Sequence, residues 1–523
     1  MNAFLDFKDA CMPRFLAFLF LLILPLLAKE KVLTIAVSSN VGVLNPQGYA
    51  QNQMYAQNVV YEGLTGMNSK GEIIPSLAVS WEVKESGALY VFNLRRGVKF
   101  SNGEEFDALA AKKNLDSVAK NRVRHSWSHL ALLIDEVKAI DKYTLELRLK
   151  QPYAPTLAEL SLIRPYRFLA PSLIPDDLDL VGKNPEKPIG TGPYSLEKTE
   201  LGRGDRFVRN PHYWNAAAYN GIYFDAIQTK IIVEPNAKLI ALRAGEVDLI
   251  YGYDEIPIEV FKQVAKSADF SVYQGPPIFT TSLVLNPANR FLESKQIRLA
   301  LALSVDKDSI IKAVYGGLQS KADFLFQDGA SGLSAPSFNP TEAVALIEKE
   351  GFSKGKDGYY YKSGKRLEVD LAFVGKSPTE RAVGEILQSQ FKQVGVFLRL
   401  APSEESIYKN RVTKGGFDIC FHQTWGRPYE PLMMINSMRY FGHTDYVAQK
   451  PLPNKAAIDS MIQEAIAMPK LGDFLPKLLG VIYDSHIYIP LTMQTNKALA
   501  RKGLKGINLG VHPIEIPFWE FYE

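Results

Sequence analysis

The chain has 523 residues, so at about 150 residues per domain two to four structural units are expected, and one small core cannot hold it. Apolar residues at 46% and charged residues at 22% sit near globular averages, which disfavours disorder, collagen and coiled coil. The charge balance, 60 − 56 = +4, is too small over this length to create the basic field that nucleic-acid binding needs, so no nucleic acid is expected as a partner.

In chain order, Arg14 precedes an uninterrupted apolar run from Phe15 to Leu27 that ends in Pro25-Leu26-Leu27-Ala28. That run is short for a spanning helix, which needs roughly 18 to 20 apolar residues, and it fits the apolar region of a secretory signal. A membrane anchor is the competing reading. Cleavage is placed after Ala28, although Leu26 is larger than the small residue preferred near such a site. Of two cysteines, Cys11 would leave with the signal, so the mature chain keeps Cys420 alone and must be stable without an internal disulfide. Cys420 lies in the strand-like Phe417–Phe421, where packing is the expected role rather than catalysis or metal binding.

Alternation marks strands at Val32–Ser38, Leu89–Leu94 and Thr144–Leu149. The segment Arg122-Val123-Arg124-His125-Ser126-Trp127-Ser128-His129 reads as a helix whose histidines, at i and i+4, could share a face and chelate a metal. A solvated helix with two free imidazoles is favoured on spacing alone, but two arginines and a tryptophan in eight residues offer carboxylate recognition and a stacking face. Arg164-Pro165-Tyr166-Arg167-Phe168 lies in an apolar stretch, where an arginine paired with a structural carboxylate is an equal alternative to a binding role. Gly190-Thr191-Gly192-Pro193 is no phosphate loop, because Pro193 removes a donor. No Walker, GxSxG, HExxH or CxxC pattern occurs, and the seven histidines are scattered, so catalysis is not expected.

Gln274-Gly275-Pro276-Pro277 is the best candidate hinge. Asn339-Pro340 opens a helix that Gly351 closes, and Ser377-Pro378-Thr379-Glu380 opens another with an N-cap, a Pro at the first helical position and a capping-box Glu. From Arg366 onward the order strand Leu367–Phe373, helix Pro378–Gln393, strand Val396–Leu400, helix and strand Phe417–Phe421 specifies a right-handed parallel unit. Thr424-Trp425-Gly426-Arg427-Pro428-Tyr429 follows that last strand, and Arg439 and Phe441-Gly442-His443 follow in turn. Loops at the carboxyl ends of parallel strands are where open α/β sheets bind ligands, so this cluster reads as functional.

Several longer motifs resemble the extracytoplasmic solute-binding proteins of the peptide/nickel family that serve ABC importers. They are Leu94-Arg95-Arg96-Gly97-Val98-Lys99-Phe100-Ser101-Asn102-Gly103-Glu104-Glu105-Phe106-Asp107-Ala108, Gly190-Thr191-Gly192-Pro193-Tyr194, Arg209-Asn210-Pro211-His212-Tyr213-Trp214 and Arg243-Ala244-Gly245-Glu246-Val247-Asp248. The nickel-binding branch is resembled by Val41-Gly42-Val43-Leu44-Asn45-Pro46, Asn52-Gln53-Met54, Asn121-Arg122-Val123-Arg124-His125, Arg164-Pro165-Tyr166-Arg167-Phe168 and Thr424-Trp425-Gly426-Arg427-Pro428-Tyr429.

The resemblance implies a two-lobed α/β periplasmic-binding-protein fold with a ligand cleft between the lobes. A signal at 1–28 would be followed by lobe I at 29–273, completed by the tail 493–523, and by lobe II at 274–492, with crossings near Gln274 and Thr492. It further implies capture of Ni(II) already held by a small organic chelator and delivery to a membrane ABC permease, by a periplasmic monomer without a catalytic cofactor. In that scheme Arg124 and Arg164 hold carboxylates, Trp127 and Trp425 flank the chelate, Tyr49, Met54 and Tyr429 complete the walls, and His443 ligates the metal. His486 has no family counterpart. It is a second candidate ligand because it shortly precedes Tyr488-Ile489-Pro490-Leu491, where the chain approaches the second crossing. A dipeptide or oligopeptide binder on the same fold is the alternative, and an exported metallohydrolase a remote third. For peptides an acidic residue holding the N-terminal amine would be needed, and none is identifiable.

Overall fold

The computed structural model describes residues 30–523 apart from 49–53, 181, 182, 184, 290 and 430, so the signal segment and Tyr49 lie outside the described residues. Fourteen strands carry the architecture. In chain order they are β1 Val32–Val37, β2 Ala78–Lys84, β3 Leu89–Leu94, β4 Ile134–Asp141, β5 Thr144–Leu149, β6 Tyr194–Glu200, β7 Gly204–Arg209, β8 Ala226–Ile231, β9 Leu249–Tyr251, β10 Phe270–Leu285, β11 Glu368–Val374, β12 Phe397–Ser403, β13 Ile419–Gln423 and β14 Tyr488–Arg501. β2 to β5 form a separate four-stranded antiparallel sheet in the order β2-β3-β5-β4.

The large sheet runs β12-β11-β13-β10-β14-β9-β1-β8-β7-β6. Its two halves have the same logic. In one, β11 pairs parallel with β12 and β13; in the other, β1 pairs parallel with β8 and β9. Each parallel pair needs a crossover to return the chain, and those crossovers build helices around it. Between the two sets of parallel pairs run the long strands β10 and β14, antiparallel to each other from Phe270↔Arg501 to Val284↔Tyr488. Two α/β units are therefore joined edge to edge through one antiparallel pair.

The expected crossings at Gln274 and Thr492 fall inside these strands rather than in loops. Pro276 and Pro277, which cannot donate to a ladder, are accommodated where the register shifts, between Gln274 and Pro277 and again between Pro277 and Phe279. Residue Ser282 follows a third shift.

Both N-caps form as expected, but Glu380 does not close a capping box, because Ser377 N is taken by Val374 O. Asn339 Oδ1 accepts from Glu342 N at 3.1 Å at the head of the helix Pro340–Lys349. Ser377 Oγ accepts from Glu380 N at 3.2 Å at the head of Pro378–Gln393, while the Glu380 carboxylate accepts from Val374 N at 3.0 Å. Cys420 is fully buried in β13, and burial pushes its thiol pKa far up, which makes it an unreactive packing group. Among the described residues no helix is long and apolar enough to cross a membrane.

Candidate functional site

The site is built from three segments that are remote in sequence. The first is the stretch after the helix Ala108–Lys120, and here the expected helix does not form. Consecutive turns carry residues 121–128: Arg124 N bonds to Asn121 O at 2.8 Å and Ser128 N to His125 O at 2.8 Å, and Asn121 Nδ2 reaches across to Leu178 O at 3.0 Å. Only at His129 does a helix begin, running to Leu133. His125 and His129 therefore do not share a helix face, and the i, i+4 chelating geometry is absent. His125 is fully buried, and burial together with Arg124 pushes its pKa down to about 4. His129 is also pushed down to about 4, by burial and Arg439. Within this stretch Arg124 is exposed and Trp127 half-buried.

The second segment holds Arg164. Glu159, 1% exposed, accepts from the hydroxyls of Ser128 and Tyr153 and from Leu130 N at 3.2 Å, and Tyr166 joins the same cluster. Its carboxyl pKa is raised by burial, with these hydrogen bonds opposing the shift. The cluster ties the Trp127 turn to the Arg164–Phe168 segment, placing half-buried Arg164 beside it. The pairing with a structural carboxylate, the alternative for this cluster, is made by Arg167, which bonds to Glu515 at 2.9 Å.

The third segment leaves the carboxyl end of β13. Thr424 makes a reciprocal pair with Thr280 on β10, its N donating to Thr280 O and its Oγ1 accepting from Thr280 N, both at 2.9 Å. Gly426 sits at φ +74°, and a Cβ there would lie 2.5 Å from Ile278 O, so the turn requires glycine. Trp425 and Tyr429 then pack edge to face at 5.9 Å between centroids.

These segments converge. Tyr429 lies 6.3 Å from Trp127, and Trp425 lies 5.7 Å from His443, so four rings run Trp127–Tyr429–Trp425–His443 across segments about three hundred residues apart in sequence. His443 occupies the N-cap position of the helix Thr444–Gln449 and is half-buried. Burial lowers its pKa against the opposing pull of Asp445, so it is neutral near pH 7. Met54 opens the helix Met54–Val60 and is half-buried.

His486 does not join this group. It occupies a turn at φ +52° before β14 and lines a different chamber, of about 240 Å³, with Lys307, Asp323 and Tyr483. Proximity in sequence to the crossing does not carry it to the rings, because the β14 residues Tyr488 to Leu491 intervene before Thr492.

Two features escaped sequence reasoning. Tyr440 OH contacts His129 Nδ1 at 3.1 Å, linking the His443 loop to the first segment. Behind His443, Asp445 takes the Tyr488 hydroxyl at 2.7 Å and His422 Nε2 at 3.1 Å, and His422 Nδ1 faces Ser282 Oγ at 3.2 Å. This trio is not a hydrolytic triad: the serine meets the nitrogen that should face the carboxylate, and Ser282 is fully buried in β10.

Two α/β units about a two-strand connection, with aromatic rings and a histidine brought together from segments remote in sequence, define a two-lobed solute-binding protein. Residues 72–445 match bacterial extracellular solute-binding proteins, family 5 Middle, and the chain belongs to that family. It is 37% identical over 497 residues to the nickel-binding periplasmic protein of Escherichia coli strain K12, covering 93% of both chains. Among solved structures it is similar to NikA from Brucella suis in complex with Fe(III)-EDTA, at 37% identity and a TM-score of 0.88, covering 94% of this chain and 100% of that one. A glutathione-binding protein of Pectobacterium atrosepticum is 27% identical over 71% of this chain and 68% of its own.

Proposed function

We propose that the protein captures Ni(II) held by a small organic chelator and delivers it to a membrane ABC permease, catalysing nothing itself. The observation that carries this reading is the four-ring group, in which a single neutral histidine meets two tryptophans and a tyrosine with arginines close by in the chain. Among the described residues no cluster of three or more histidine, cysteine or carboxylate side chains could hold a metal. One imidazole cannot fill a square-planar or octahedral nickel shell, so the remaining donors come with the cargo. Carboxylate-rich chelators bring negative charge, which Arg124 and Arg164 offset with planar, permanently protonated forks. Trp127, Trp425, Tyr429, Met54 and Tyr49 bury the organic part. The likeness to nickel-binding relatives supports this assignment, and the family's extracellular placement supports a periplasmic location reached through residues 1–28; the reading takes the protein as a monomer. The reading divides the lobes at 273/274 and 492/493, within β10 and β14.

The test is calorimetric titration of the mature protein with NiCl2 alone, NiCl2 with L-histidine, and a dipeptide mixture. Chelated nickel should bind far more tightly than the aquo ion. Equal binding of the bare ion overturns the reading, and heat from peptides with none from nickel replaces it by the peptide alternative.

Within the same reading, His443→Ala should weaken the nickel chelate by more than the ~10–100-fold that losing a mere supporting partner of a ligating histidine costs. His486→Ala should leave it unchanged. Since ligation needs a neutral imidazole, binding should fall as pH drops through the His443 pKa, which burial places below the ordinary imidazole value, after correction for protonation of the chelator. An unchanged nickel absorption spectrum in His443→Ala would mean the protein grips only the organic shell.

A further inference from the structure

A second chamber, of about 290 Å³, lies between the helix Met54–Val60 and the C-terminal segment 508–520, and shares no lining residue with the ring group. Its volume is near the lower end of small-molecule sites, about 300 Å³, which limits an occupant to amino-acid size. Three kinds of surface meet in it. Asn58, 5% exposed, lines the chamber, and its Nδ2 is buried without a hydrogen-bond partner among the described residues. Leaving a buried donor without an acceptor is costly, so something in the chamber is expected to accept from it.

Opposite in character, Glu520 has no ion-pair partner among the described residues, and burial raises its carboxyl pKa. Burial raises the pKa of the Tyr219 hydroxyl, a hydrogen bond with Trp519 opposes this, and Glu520 and Glu62 add to the rise. Tyr219 and Trp519 add aromatic faces next to it, and Met67, Ile74 and Pro517 an apolar wall. Two of the other polar groups are already engaged: Glu515 holds Arg167, and His512 Nδ1 accepts from Ile514 N and Glu515 N at 3.2 Å.

A carboxylate beside aromatic faces is suited to an ammonium group, which gains from both the charge and the ring quadrupoles. A donor amide lining the same chamber is suited to a carbonyl or carboxylate oxygen on the same molecule. We propose that this chamber binds small primary-amine solutes of the amino-acid class, ammonium toward Glu520 and Trp519, carboxylate toward Asn58, and an apolar side chain against Met67 and Ile74. The site shares no lining residue with the four-ring group and does not depend on the nickel reading.

The experiment titrates the full mature chain, freed of metal, with L-leucine, N-acetyl-L-leucine and isoamylamine, the last being leucine without its carboxylate. L-leucine should bind and N-acetyl-L-leucine, which has no ammonium, should not. Glu520→Gln should weaken L-leucine by about tenfold or more, as expected for loss of a charge-assisted contact. Asn58→Asp, which sets a carboxylate against the ligand's own, should weaken L-leucine but not isoamylamine, a pattern that general unfolding cannot mimic. Arg164→Ala, in the cleft, should leave L-leucine binding intact. Absence of heat with L-leucine, equal binding of the acetylated form, indifference to Glu520→Gln, or loss of binding in Arg164→Ala would each overturn the proposal.

Discussion

Replacing Arg164 by alanine is expected to weaken an anionic nickel chelate by about 2 to 5 kcal/mol, the usual cost of truncating one side of a desolvated charge pair. That corresponds to roughly a 30-fold to a few-thousand-fold rise in Kd. Arg164→Lys should recover little of it, because an ammonium on a flexible stem cannot reproduce a planar fork on a carboxylate. The structure supplies a demanding control three residues away. Arg167, 5% exposed, is committed to Glu515 at 2.9 Å, so Arg167→Ala should lower thermal stability by stranding that carboxylate while leaving chelate affinity near wild type. Titration of the three variants with one nickel chelate checks the contrast. If Arg164→Lys keeps full affinity, or if Arg167→Ala costs as much affinity as Arg164→Ala, the bidentate role of Arg164 is wrong.

Periodicity and end signals were legible wherever the deciding interactions are local. Leu89–Leu94 and Thr144–Leu149 alternate along the chain and form strands with those bounds, and Pro378–Gln393 carries its own N-cap and stop. The strand read at Phe417–Phe421 forms two residues later, at Ile419–Gln423, because its ends are set by pairing with β10 rather than by its own residues. The reading of 122–129 as a helix failed for a related reason. Asn121 and Glu159 bind that stretch to distant segments, and such bonds outweigh a weak helical preference. Pro276-Pro277 reads as punctuation, yet the chain continues as strand across it, the prolines being absorbed where the ladder shifts register. Individual site residues were recognisable by type, but His486 shows the limit: nearness in sequence to a crossing is not nearness in space. The Tyr440–His129 contact, between residues 311 positions apart, left no trace in composition or spacing.

The other large effect is expected in stability. Asp445 is 3% exposed and holds two partners on different elements, the Tyr488 hydroxyl of β14 and His422 of β13. Lying in the first turn of the helix Thr444–Gln449, it also faces the positive end of that helix's dipole. Burial pushes its pKa up, but His422 and Tyr488 overcome this and hold the carboxyl below its ordinary value. Asp445→Ala removes the acceptor and leaves a tyrosine hydroxyl and an imidazole buried without it, and breaking a buried pair in this way costs about 3 to 5 kcal/mol. The same geometry fixes a pH dependence. A carboxyl whose pKa is lower folded than unfolded stabilises the fold fully above its unfolded value, about 3.9, and that stabilisation is lost as pH falls through the lower, folded value. Wild type should therefore lose this increment of stability below about pH 4, whereas Asp445→Ala should not show it. Chemical denaturation of both proteins without metal or chelator, at pH 7 and at pH 3, reads the difference directly. Equal midpoints at pH 7 would mean that the network behind His443 contributes nothing to the fold. A gap between the two proteins that stays as wide at pH 3 as at pH 7 would mean that the ionised form of Asp445 is not what stabilises it.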